Sequence, residues 1–268
     1  MSERDRYQAG VPCWVDTLQP DPQATMRFYG ELFGWDFAGP GPGDYFVARL
    51  RGRDVAGVAA RPPDGGPPAW NTYVAVDSAD EAAARAADEG GSVVSAPFDV
   101  LPAGRVAVLA DLAGAAFCVW EARERQGAQL VNEPSAWSMS VLNSPDPERA
   151  KAFYAALFGW TTETFELGDA KVTMWRLPGY VGGEPEQPVS REVVATMMPA
   201  QEDVPAHWSP DFWVGDIDAA ARIAGDRGGK VVQPPYEIPG ASMRQAVLAD
   251  PAGATFCATQ LVIPEEAR

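Results

Sequence analysis

The chain has 268 residues, 46% of them hydrophobic and nine of them tryptophan, so it can bury a sizeable core as one large domain or as two of ordinary size. It carries 37 acidic against 21 basic residues, and a formal charge of −16 repels phosphate backbones and anionic lipid headgroups. We therefore expect neither nucleic acid nor a membrane surface among its partners.

The predicted elements begin after a polar N-terminus. Residues 1–10 contain no apolar segment of the kind that directs export, and no stretch of about 18 apolar residues follows anywhere, so we predict a cytoplasmic protein. Val11 to Leu18 alternates in polarity between prolines, which is typical of a strand. Asp21-Pro22 then begins a helix, with an N-cap acid and a proline at its first position, and Gly34 ends it after Phe33.

Short strands and one further helix complete this first half. Prolines and glycines between residues 62 and 68 indicate a turn-rich connection. An alanine-rich segment, Ala79 to Glu89, predicts a helix that ends at Gly90-Gly91. The predicted strands are Tyr45 to Leu50, Val55 to Ala59, Asn71 to Val76, Ser92 to Phe98, Arg105 to Ala110 and Ala115 to Glu121. The half thus contains two successive strand-helix-strands units.

The second half repeats the first. Phe28 to Trp35 recurs as Phe153 to Trp160 with six of eight positions identical, and Val108 to Cys118 recurs as Val247 to Cys257 with nine of eleven identical. The offset grows from 125 to 139 residues, which places an insertion near residues 178–190. We therefore predict an N-terminal module over residues 1–125, a linker over 126–134 and a C-terminal module over 135–268.

Both repeated motifs, the Phe-Tyr-x-x-Leu-Phe-Gly-Trp segment and the Asp-x-Ala-Gly-Ala segment before a final strand, resemble those of the vicinal oxygen chelate superfamily. That superfamily includes glyoxalase I, bleomycin-resistance proteins and extradiol dioxygenases. The resemblance covers the chain twice and is strongest to a tandem actinobacterial subgroup, some of whose members belong to antibiotic biosynthesis or resistance. It implies an α+β fold of tandem βαβββ modules, in which curved mixed sheets form half-barrels around a cavity.

Metal-dependent members of that superfamily take ligands from three strand positions. The resemblance maps these positions to Trp14, Asn71 and Cys118 in the first copy. In the second copy they fall on Met139, Ser209 and Cys257. Neither set offers the imidazoles and carboxylates that divalent metals prefer, and the chain has one histidine, His207. We therefore expect no metal and, because no glycine-rich phosphate loop follows a strand, no nucleotide cofactor.

One carboxylate, Asp16, lies close in sequence to the mapped position Trp14. Trp14 and Asp16 alternate on the first strand and so share one face of the sheet. A carboxylate on an inner strand is costly to bury and tends to have a raised pKa, so Asp16 is the predicted general acid or base. The alternative is a carboxylate satisfied by the backbone or by an arginine. The second copy has Val141 there, so the two cavities differ chemically.

Aromatic and cationic residues suggest how a ligand is held. Tyr73 and Trp120 lie two positions after Asn71 and Cys118 and would line a pocket for a flat, mostly apolar ligand, unless they only pack the core. Arg105 begins a strand, as Arg244 does in the other copy, and could orient an anionic substrate group or pair with a neighbouring acid. Trp137, Met139, Trp175 and Trp213 predict an apolar second pocket, which favours binding there.

The remaining reactive side chains have two interpretations each. Cys118 and Cys257 are either small buried hydrophobes or nucleophiles, although no histidine occupies a repeat-equivalent position to activate them. Three cysteines without paired spacing argue against a disulfide framework. His207 lies either in the loop at the cavity mouth or on the strand that carries Ser209.

These residues leave two main functions open. The first is a metal-independent enzyme of specialised metabolism that uses Asp16 for proton transfer on an aromatic or polycyclic substrate, in a cyclisation, isomerisation or elimination or in assistance to an oxygenase. The second is a binding protein that sequesters an aromatic drug, as bleomycin-resistance proteins do. A vestigial cavity is a third possibility. We expect a monomer by default, with a dimer possible, because two copies in one chain can complete the paired sheets.

Overall fold

The computed structural model describes residues 3–62, 65–167, 170–182 and 191–262. The first half contains β1 (Pro12–Gln19), α1 (Pro22–Phe33), β2 (Asp36–Gly41), β3 (Tyr45–Leu50), β4 (Arg53–Ala60), β5 (Ala69–Ala75), α2 (Ala79–Asp88), β6 (Ser92–Val100), β7 (Gly104–Ala110) and β8 (Ala116–Ala122). The second half contains β9 (Trp137–Ser144), α3 (Pro147–Phe158), β10 (Thr161–Leu167), β11 (Ala170–Arg176), β12 (Val193–Pro199), β13 (His207–Trp213), α4 (Ile217–Asp226), β14 (Lys230–Glu237), β15 (Met243–Ala249) and β16 (Thr255–Leu261).

Each half forms one eight-stranded mixed sheet with the same topology. The orders are β2-β3-β4-β1-β5-β8-β7-β6 and β10-β11-β12-β9-β13-β16-β15-β14. Two βαβββ units meet at the centre of each sheet through an antiparallel pair, β1 with β5 and β9 with β13. We call the inner face of the first sheet, which carries Asp16, the N-terminal cup, and the equivalent face of the second sheet the C-terminal cup. The predicted α+β fold of tandem modules is confirmed.

The repeated aromatic helices bind the two halves together. α1 begins at the Asp21 N-cap, ends at Gly34 in the left-handed conformation, and packs its aromatic face on the second sheet. The ring of Tyr29 lies 5.6 Å from that of Phe256, and the ring of Phe33 lies 5.0 Å from that of Phe212. α3 is capped in the same way by Asp146 and Gly159, and packs reciprocally on the first sheet.

The second repeated motif completes this exchange. Asp250 Oδ1 accepts hydrogen bonds from three successive backbone amides in its turn, at residues 252–254, and its Oδ2 accepts one from Tyr29 Oη of the other half at 3.1 Å. Asp111 holds the equivalent turn in the first half, and its Oδ2 accepts from Tyr154 Oη at 3.2 Å. The two motifs of the repeat are thus each other's partners across the interface, which is a packing role.

The predicted elements agree with the structure except at β2, which the sequence did not indicate. β2 contains Gly39-Pro40 and pairs only with β3, so it is an edge strand, where a proline need not cost a ladder hydrogen bond. The predicted insertion lies partly outside the described residues, which end at 182 and resume at 191. None of the helices described is long and apolar enough to cross a membrane.

Candidate active site

In the N-terminal cup, the carboxylate of Asp16 is enclosed and accepts hydrogen bonds at both oxygens. Its side chain is 1% exposed. Oδ2 accepts from Tyr73 Oη at 2.6 Å and from Tyr45 Oη at 3.0 Å, and Oδ1 accepts from Asn71 Nδ2 at 2.8 Å. Burial raises the pKa of Asp16 while these three donors oppose the rise. Both oxygens are therefore engaged inside the protein.

Neighbouring side chains extend this network. Trp14 Nε1 donates to Tyr45 Oη at 2.8 Å, and the Arg125 guanidinium lies 5.6 Å from the Trp14 ring centroid and pairs with Asp54 at 2.6 Å. The register of β1 with β4 places Gly57 beside Asp16. A Cβ at Gly57 would lie less than 3 Å from both the Tyr45 hydroxyl and Asp16 Cβ. The absence of a side chain at Gly57 is thus what admits the Tyr45 hydroxyl to the carboxylate.

The C-terminal cup holds an open cavity of about 330 Å³. Most of its lining is apolar, in keeping with a small-molecule site. The lining residues from the sheet and its loops include Trp137, Met139, Val141, Val172, Met174, Val193, Met198, Trp213, Tyr236, Ile238, Met243 and Val247, with Asp211, Gln245, Cys257 and Thr259 as the polar cluster.

Asp211 on β13 is the acid of this cavity. It is 8% exposed, and Oδ2 accepts from Thr259 Oγ1 at 2.7 Å and from Gln245 Nε2 at 3.3 Å. Oδ1 is buried and accepts no hydrogen bond from the described residues. Burial raises the pKa of Asp211 to about 7, and the two donors only partly offset that rise. A carboxyl group that changes protonation near neutral pH beside an apolar cavity is suited to proton transfer.

Polar neighbours fix the position of this acid. Gln245 also donates to Thr259 Oγ1 at 3.1 Å, and its Oε1 accepts from Tyr236 Oη at 2.7 Å. Burial raises the pKa of Tyr236 to about 12, and the thiol of Cys257 and the carboxylate of Asp211 add to the rise. Tyr236, Gln245 and Thr259 therefore form a chain of hydrogen bonds that ends on Asp211.

Residues from the start of the chain close one side of the same cavity. Arg4, Tyr7, Val11 and Pro12 line it, although they precede or belong to the first sheet. This segment is held by the bridge between Glu3 and Leu130, by Tyr7 Oη donating to the carbonyl of Ala128 at 2.6 Å, and by Trp160 Nε1 donating to the carbonyl of Gly10 at 2.7 Å. The C-terminal cavity is thus built by both halves of the repeat.

The repeat relationship explains how one fold gives two different cups. Tyr73 and Asp211 occupy equivalent positions, two after Asn71 and Ser209, and each faces the strand that carries Trp14 or Met139. Trp120, two after Cys118, is replaced by Thr259, and Asp16 is replaced by Val141. The carboxylate has therefore moved to the adjacent strand, and the exchange of Trp120 for Thr259 both frees space and supplies a donor for Asp211.

The predicted site residues fall into three groups. Asp16, Trp14, Asn71, Tyr73, Cys118 and Trp120 come together in the N-terminal cup, with Cys118 3% exposed and Trp120 donating to the carbonyl of Arg125. Met139 and Cys257 line the C-terminal cavity; Ser209, 4% exposed, hydrogen-bonds the Cys257 thiol instead. Burial raises the pKa of both thiols, so each is protonated at neutral pH, in keeping with the non-nucleophilic alternative.

Three expectations need correction. Arg105 is not placed to bind a substrate in the cup: it pairs with Asp80 on α2 and with Asp99 on the helix-covered side of the sheet, which is the alternative of a neighbouring acid. The second pocket is not apolar throughout, because Asp211 and its donors lie in it. Trp175 packs 5.5 Å from Tyr154 on the helix side and does not line it. A signal for Asp211 is present in the sequence, since an acid stands where the first copy has Tyr73.

The residues at the mapped metal positions do not fit a divalent ion. In the first copy the Trp14 indole offers no lone pair in the ring plane, and in the second the ligands would be a thioether, a hydroxyl and a thiol that burial keeps protonated. Within the described residues, no cluster of three or more His, Cys, Asp or Glu side chains is arranged to hold a metal.

The sequence matches a known family and full-length relatives. It matches the glyoxalase-like domain family over residues 14–120 and again over residues 139–259. A Mycobacterium tuberculosis protein with a provisional glyoxylase name, CFP32, is 38% identical over 96% of this chain and 97% of its own length. The anthracycline biosynthesis protein DnrV of Streptomyces peucetius is 33% identical over 96% of this chain and 95% of its own.

Two solved structures share the fold at low sequence identity. The Mn(II)-bound glyoxalase of Novosphingobium aromaticivorans superposes with a TM-score of 0.66 at 16% identity, over 96% of this chain and 83% of that one. The 2,2',3-trihydroxybiphenyl 1,2-dioxygenase of Sphingomonas wittichii gives 0.62 at 12% identity, over 97% and 95%. The chain is therefore a tandem two-module member of the glyoxalase-like family, within the vicinal oxygen chelate superfamily.

Proposed function

We propose that this protein is an enzyme of specialised metabolism that catalyses a proton transfer on a small aromatic or polycyclic metabolite in its C-terminal cavity, with Asp211 as the acid–base group and without a metal ion. The observation that carries the proposal is the Asp211 carboxyl group, whose pKa is raised to about 7 and whose Oδ1 has no described donor, at the wall of a cavity of about 330 Å³. Asp16, the acid predicted from the sequence, has both oxygens engaged and is 1% exposed, so we assign the chemistry to Asp211 instead.

The surroundings of Asp211 suit a reversible proton transfer. Near neutral pH the carboxyl group is present in both protonation states, so it can accept a proton from an acidic C–H or O–H of the ligand and return it elsewhere. The chain from Tyr236 through Gln245 keeps the carboxylate oriented. Cyclisation, isomerisation, elimination, or assistance to an oxygenase would each use that step.

The names of the relatives and the lining of the C-terminal cavity both support an aromatic ligand. A homologue that is similar along nearly its whole length is named for anthracycline biosynthesis, which favours a polycyclic aromatic metabolite. Trp137, Trp213 and Met139 offer the broad, polarisable surfaces on which flat rings pack. We further propose that the protein acts in the cytoplasm as a monomer, since its three cysteines are free and each sheet is completed within one chain.

Hydrogen–deuterium exchange would test the proton transfer directly. Polycyclic hydroxyquinones that raise the melting temperature of the protein would be incubated with it in D2O, and deuterium uptake at carbon would be followed by NMR. We expect wild type to accelerate exchange and Asp211→Asn to lose at least about 100-fold of that acceleration, the range for one acid–base group, while still binding. Asp16→Asn is the matched control and should retain exchange. Exchange that survives in Asp211→Asn would overturn the assignment.

A second candidate function is sequestration of an aromatic compound without turnover. The mostly apolar lining of the C-terminal cavity favours it. In that case the same ligands would bind wild type and Asp211→Asn with similar affinity, and neither protein would accelerate exchange. Metal content of the purified protein, measured together with activity after chelation, would separate both functions from a metal-dependent reaction.

A further inference from the structure

A polar pair, Asn143 and His207, lies in the C-terminal cup at a distance from Asp211. Asn143 on β9 lines the cavity, and His207, the only histidine of the chain, is the first residue of β13. The two residues are opposite each other in the antiparallel pair of strands, as Met139 and Asp211 are. Opposed and alternate residues share one face of a sheet, so both pairs lie on the cavity face. From residue 139 to residue 143 the distance along the strand is about 13 Å.

His207 fixes the orientation of the Asn143 amide. His207 Nδ1 lies 2.8 Å from the carbonyl oxygen of Pro205, which can only accept, so Nδ1 carries the proton of the neutral ring. Nε2 is then an acceptor, and it lies 3.3 Å from Asn143 Nδ2. The amide nitrogen is therefore turned toward His207, and the amide oxygen lies on the other branch of the side chain. None of the described residues donates a hydrogen bond to that oxygen, which is accessible.

The first copy of the repeat shows that the fold itself does not require this polar pair. Its equivalent residues are Leu18 on β1 and Ala69 on β5, which are opposite each other in the same register. Leu18 is half-buried, as Asn143 is. An aliphatic pair thus satisfies these strand positions in the cup whose acid is enclosed, whereas the amide and the imidazole occur in the cup that holds the open cavity. The polar pair is therefore a feature of the cavity and not of sheet packing.

Strand β9 offers apolar surface between the two polar ends of the cavity. Met139 and Val141 precede Asn143 on the same face, and Met198 of β12 is paired with Asn143. All of these residues line the cavity. An elongated ligand that reaches from Asp211 to Asn143 would thus meet a polar group at each end, with aliphatic and thioether surface between them.

We propose that Asn143 is a ligand-binding residue whose amide oxygen accepts a hydrogen bond from a hydroxyl group at the end of the ligand remote from Asp211, and that His207 is the positioning residue that holds the amide in this orientation. This inference rests on the proposed function and narrows its substrate class to elongated polycyclic compounds with a hydroxyl group at that remote end. An amide that is free to turn can present its oxygen to a hydroxyl group or its nitrogen to an ether oxygen. Held by His207, the amide selects the hydroxyl group.

Three symmetric anthraquinones would test this assignment, because a symmetric ligand presents the same group at both ends of the cavity. Anthraquinone, 2,6-dihydroxyanthraquinone and 2,6-dimethoxyanthraquinone would be titrated against the full-length protein, below the pKa of the hydroxyl groups, with quenching of tryptophan fluorescence giving the affinities. Asn143→Leu introduces the residue of the first copy, and His207→Phe keeps a ring while removing both nitrogens. Gln23→Leu on the exposed side of α1 removes an amide elsewhere. Circular dichroism and melting temperature would verify that each variant is folded.

We expect wild type and Gln23→Leu to bind the dihydroxy compound more tightly than the other two. Asn143→Leu should bind the dihydroxy compound at least about 5-fold more weakly than wild type does, the usual effect of one hydrogen bond, while its affinity for anthraquinone stays unchanged. His207→Phe should bind the dimethoxy compound more tightly than wild type does, because the released amide can donate to the ether oxygen.

Several results would overturn this assignment and leave the proposed function standing. These are equal binding of the dihydroxy compound and anthraquinone by wild type, an unchanged affinity of Asn143→Leu for the dihydroxy compound, and an equal loss for anthraquinone, which would indicate lost packing. An undiminished preference of His207→Phe for the dihydroxy over the dimethoxy compound would overturn the positioning role of His207. Failure of all three compounds to bind wild type would count against a polycyclic ligand and hence against both proposals.

Discussion

The two cups share a topology and differ in the strand that carries the buried acid, Asp16 in one and Asp211 in the other. In the N-terminal cup Asp16 on the first central strand accepts three hydrogen bonds and is 1% exposed. In the C-terminal cup Asp211 lies on the second central strand, has one oxygen without a described donor, and faces a cavity. In the function proposed above, the duplicated fold keeps one buried acid as part of its structure and uses the other for chemistry.

Side-chain size at neighbouring positions decides which cup is open. Tyr45, Tyr73 and Trp120 occupy the N-terminal cup with aromatic rings, whereas Thr259 stands in place of Trp120 in the C-terminal cup. Residue pairing between strands puts Val172 of the second half where the first has Tyr45. Aliphatic and hydroxyl side chains at these positions leave the volume that the aromatic rings fill in the other copy.

Gly57→Ala should cause the largest loss of stability and should reveal the difference between the two cups. The new Cβ would contact the Tyr45 hydroxyl and Asp16 Cβ at less than 3 Å, so Tyr45 would have to leave the carboxylate. Overpacking together with a lost charge-assisted hydrogen bond predicts a fall in the free energy of unfolding of about 3 kcal/mol, measured by chemical denaturation. Thr196 occupies the equivalent position in the other half, and Thr196→Val should change stability by less than about 0.5 kcal/mol. Equal losses of stability in the two variants would contradict the difference in packing between the cups.

Replacing the two acids should separate their roles. Asp16→Asn puts an amide group among three donors and is expected to lower the free energy of unfolding by about 2 kcal/mol at pH 8. Asp211→Asn is expected to leave stability at pH 8 unchanged or increased, because it removes a buried carboxylate with one unpaired oxygen. Equilibrium denaturation of both variants beside wild type measures this, and a larger loss for Asp211→Asn would reverse our assignment of structural and functional acids.

Most of the fold could be predicted from the sequence. The repeat presents the main motifs twice, and the capping residues mark where the helices begin and end. β2 was missed since its Gly39-Pro40 pair removes the strand signal. The N-terminal cluster was predicted in two steps: the family resemblance mapped Trp14 and Asn71 to the cavity, and strand alternation added Asp16 and Tyr73 to the same face. The C-terminal site depends on Arg4 and Tyr7 reaching it from the other half and on Tyr236 from an edge strand, and such long-range contacts leave no local pattern in one sequence.

The titration of Asp211 should make the free energy of unfolding depend on pH, with a smaller effect that lowers stability as pH rises. Its pKa in the folded protein is about 7, above its ordinary value of 3.8, so the folded state holds a proton that the unfolded state has released between those values. Stability from this group is therefore greatest at the acidic end and falls as pH rises to about 7, after which it levels. Asp16 and Asp250 also have raised pKa values, so the comparison is between wild type and Asp211→Asn. Between pH 5 and pH 7.5 the free energy of unfolding of wild type should fall by about 1–2 kcal/mol more than that of the variant, within the limit of about 1.4 kcal/mol per pKa unit. If the free energies of unfolding of the two proteins change in parallel with pH, the raised pKa is contradicted.

The smallest expected difference concerns the two tyrosines that join the halves. Tyr29→Phe removes one donor from Asp250 Oδ2, but that oxygen also accepts from Gln19 Nε2 at 2.7 Å. Tyr154→Phe removes the donor to Asp111 Oδ2, for which the described residues show no second side-chain donor, because Ser144 stands where the first half has Gln19. Each change also leaves a tryptophan indole, Trp70 or Trp208, without its acceptor, so that cost cancels between them. Tyr154→Phe should therefore lower the free energy of unfolding by about 1 kcal/mol more than Tyr29→Phe, the usual cost of a buried acceptor left unpaired. Removing Gln19 as well, by Gln19→Leu in the Tyr29→Phe background, should close that gap, and a gap that persists would mean that the asymmetry between the halves lies outside these two turns.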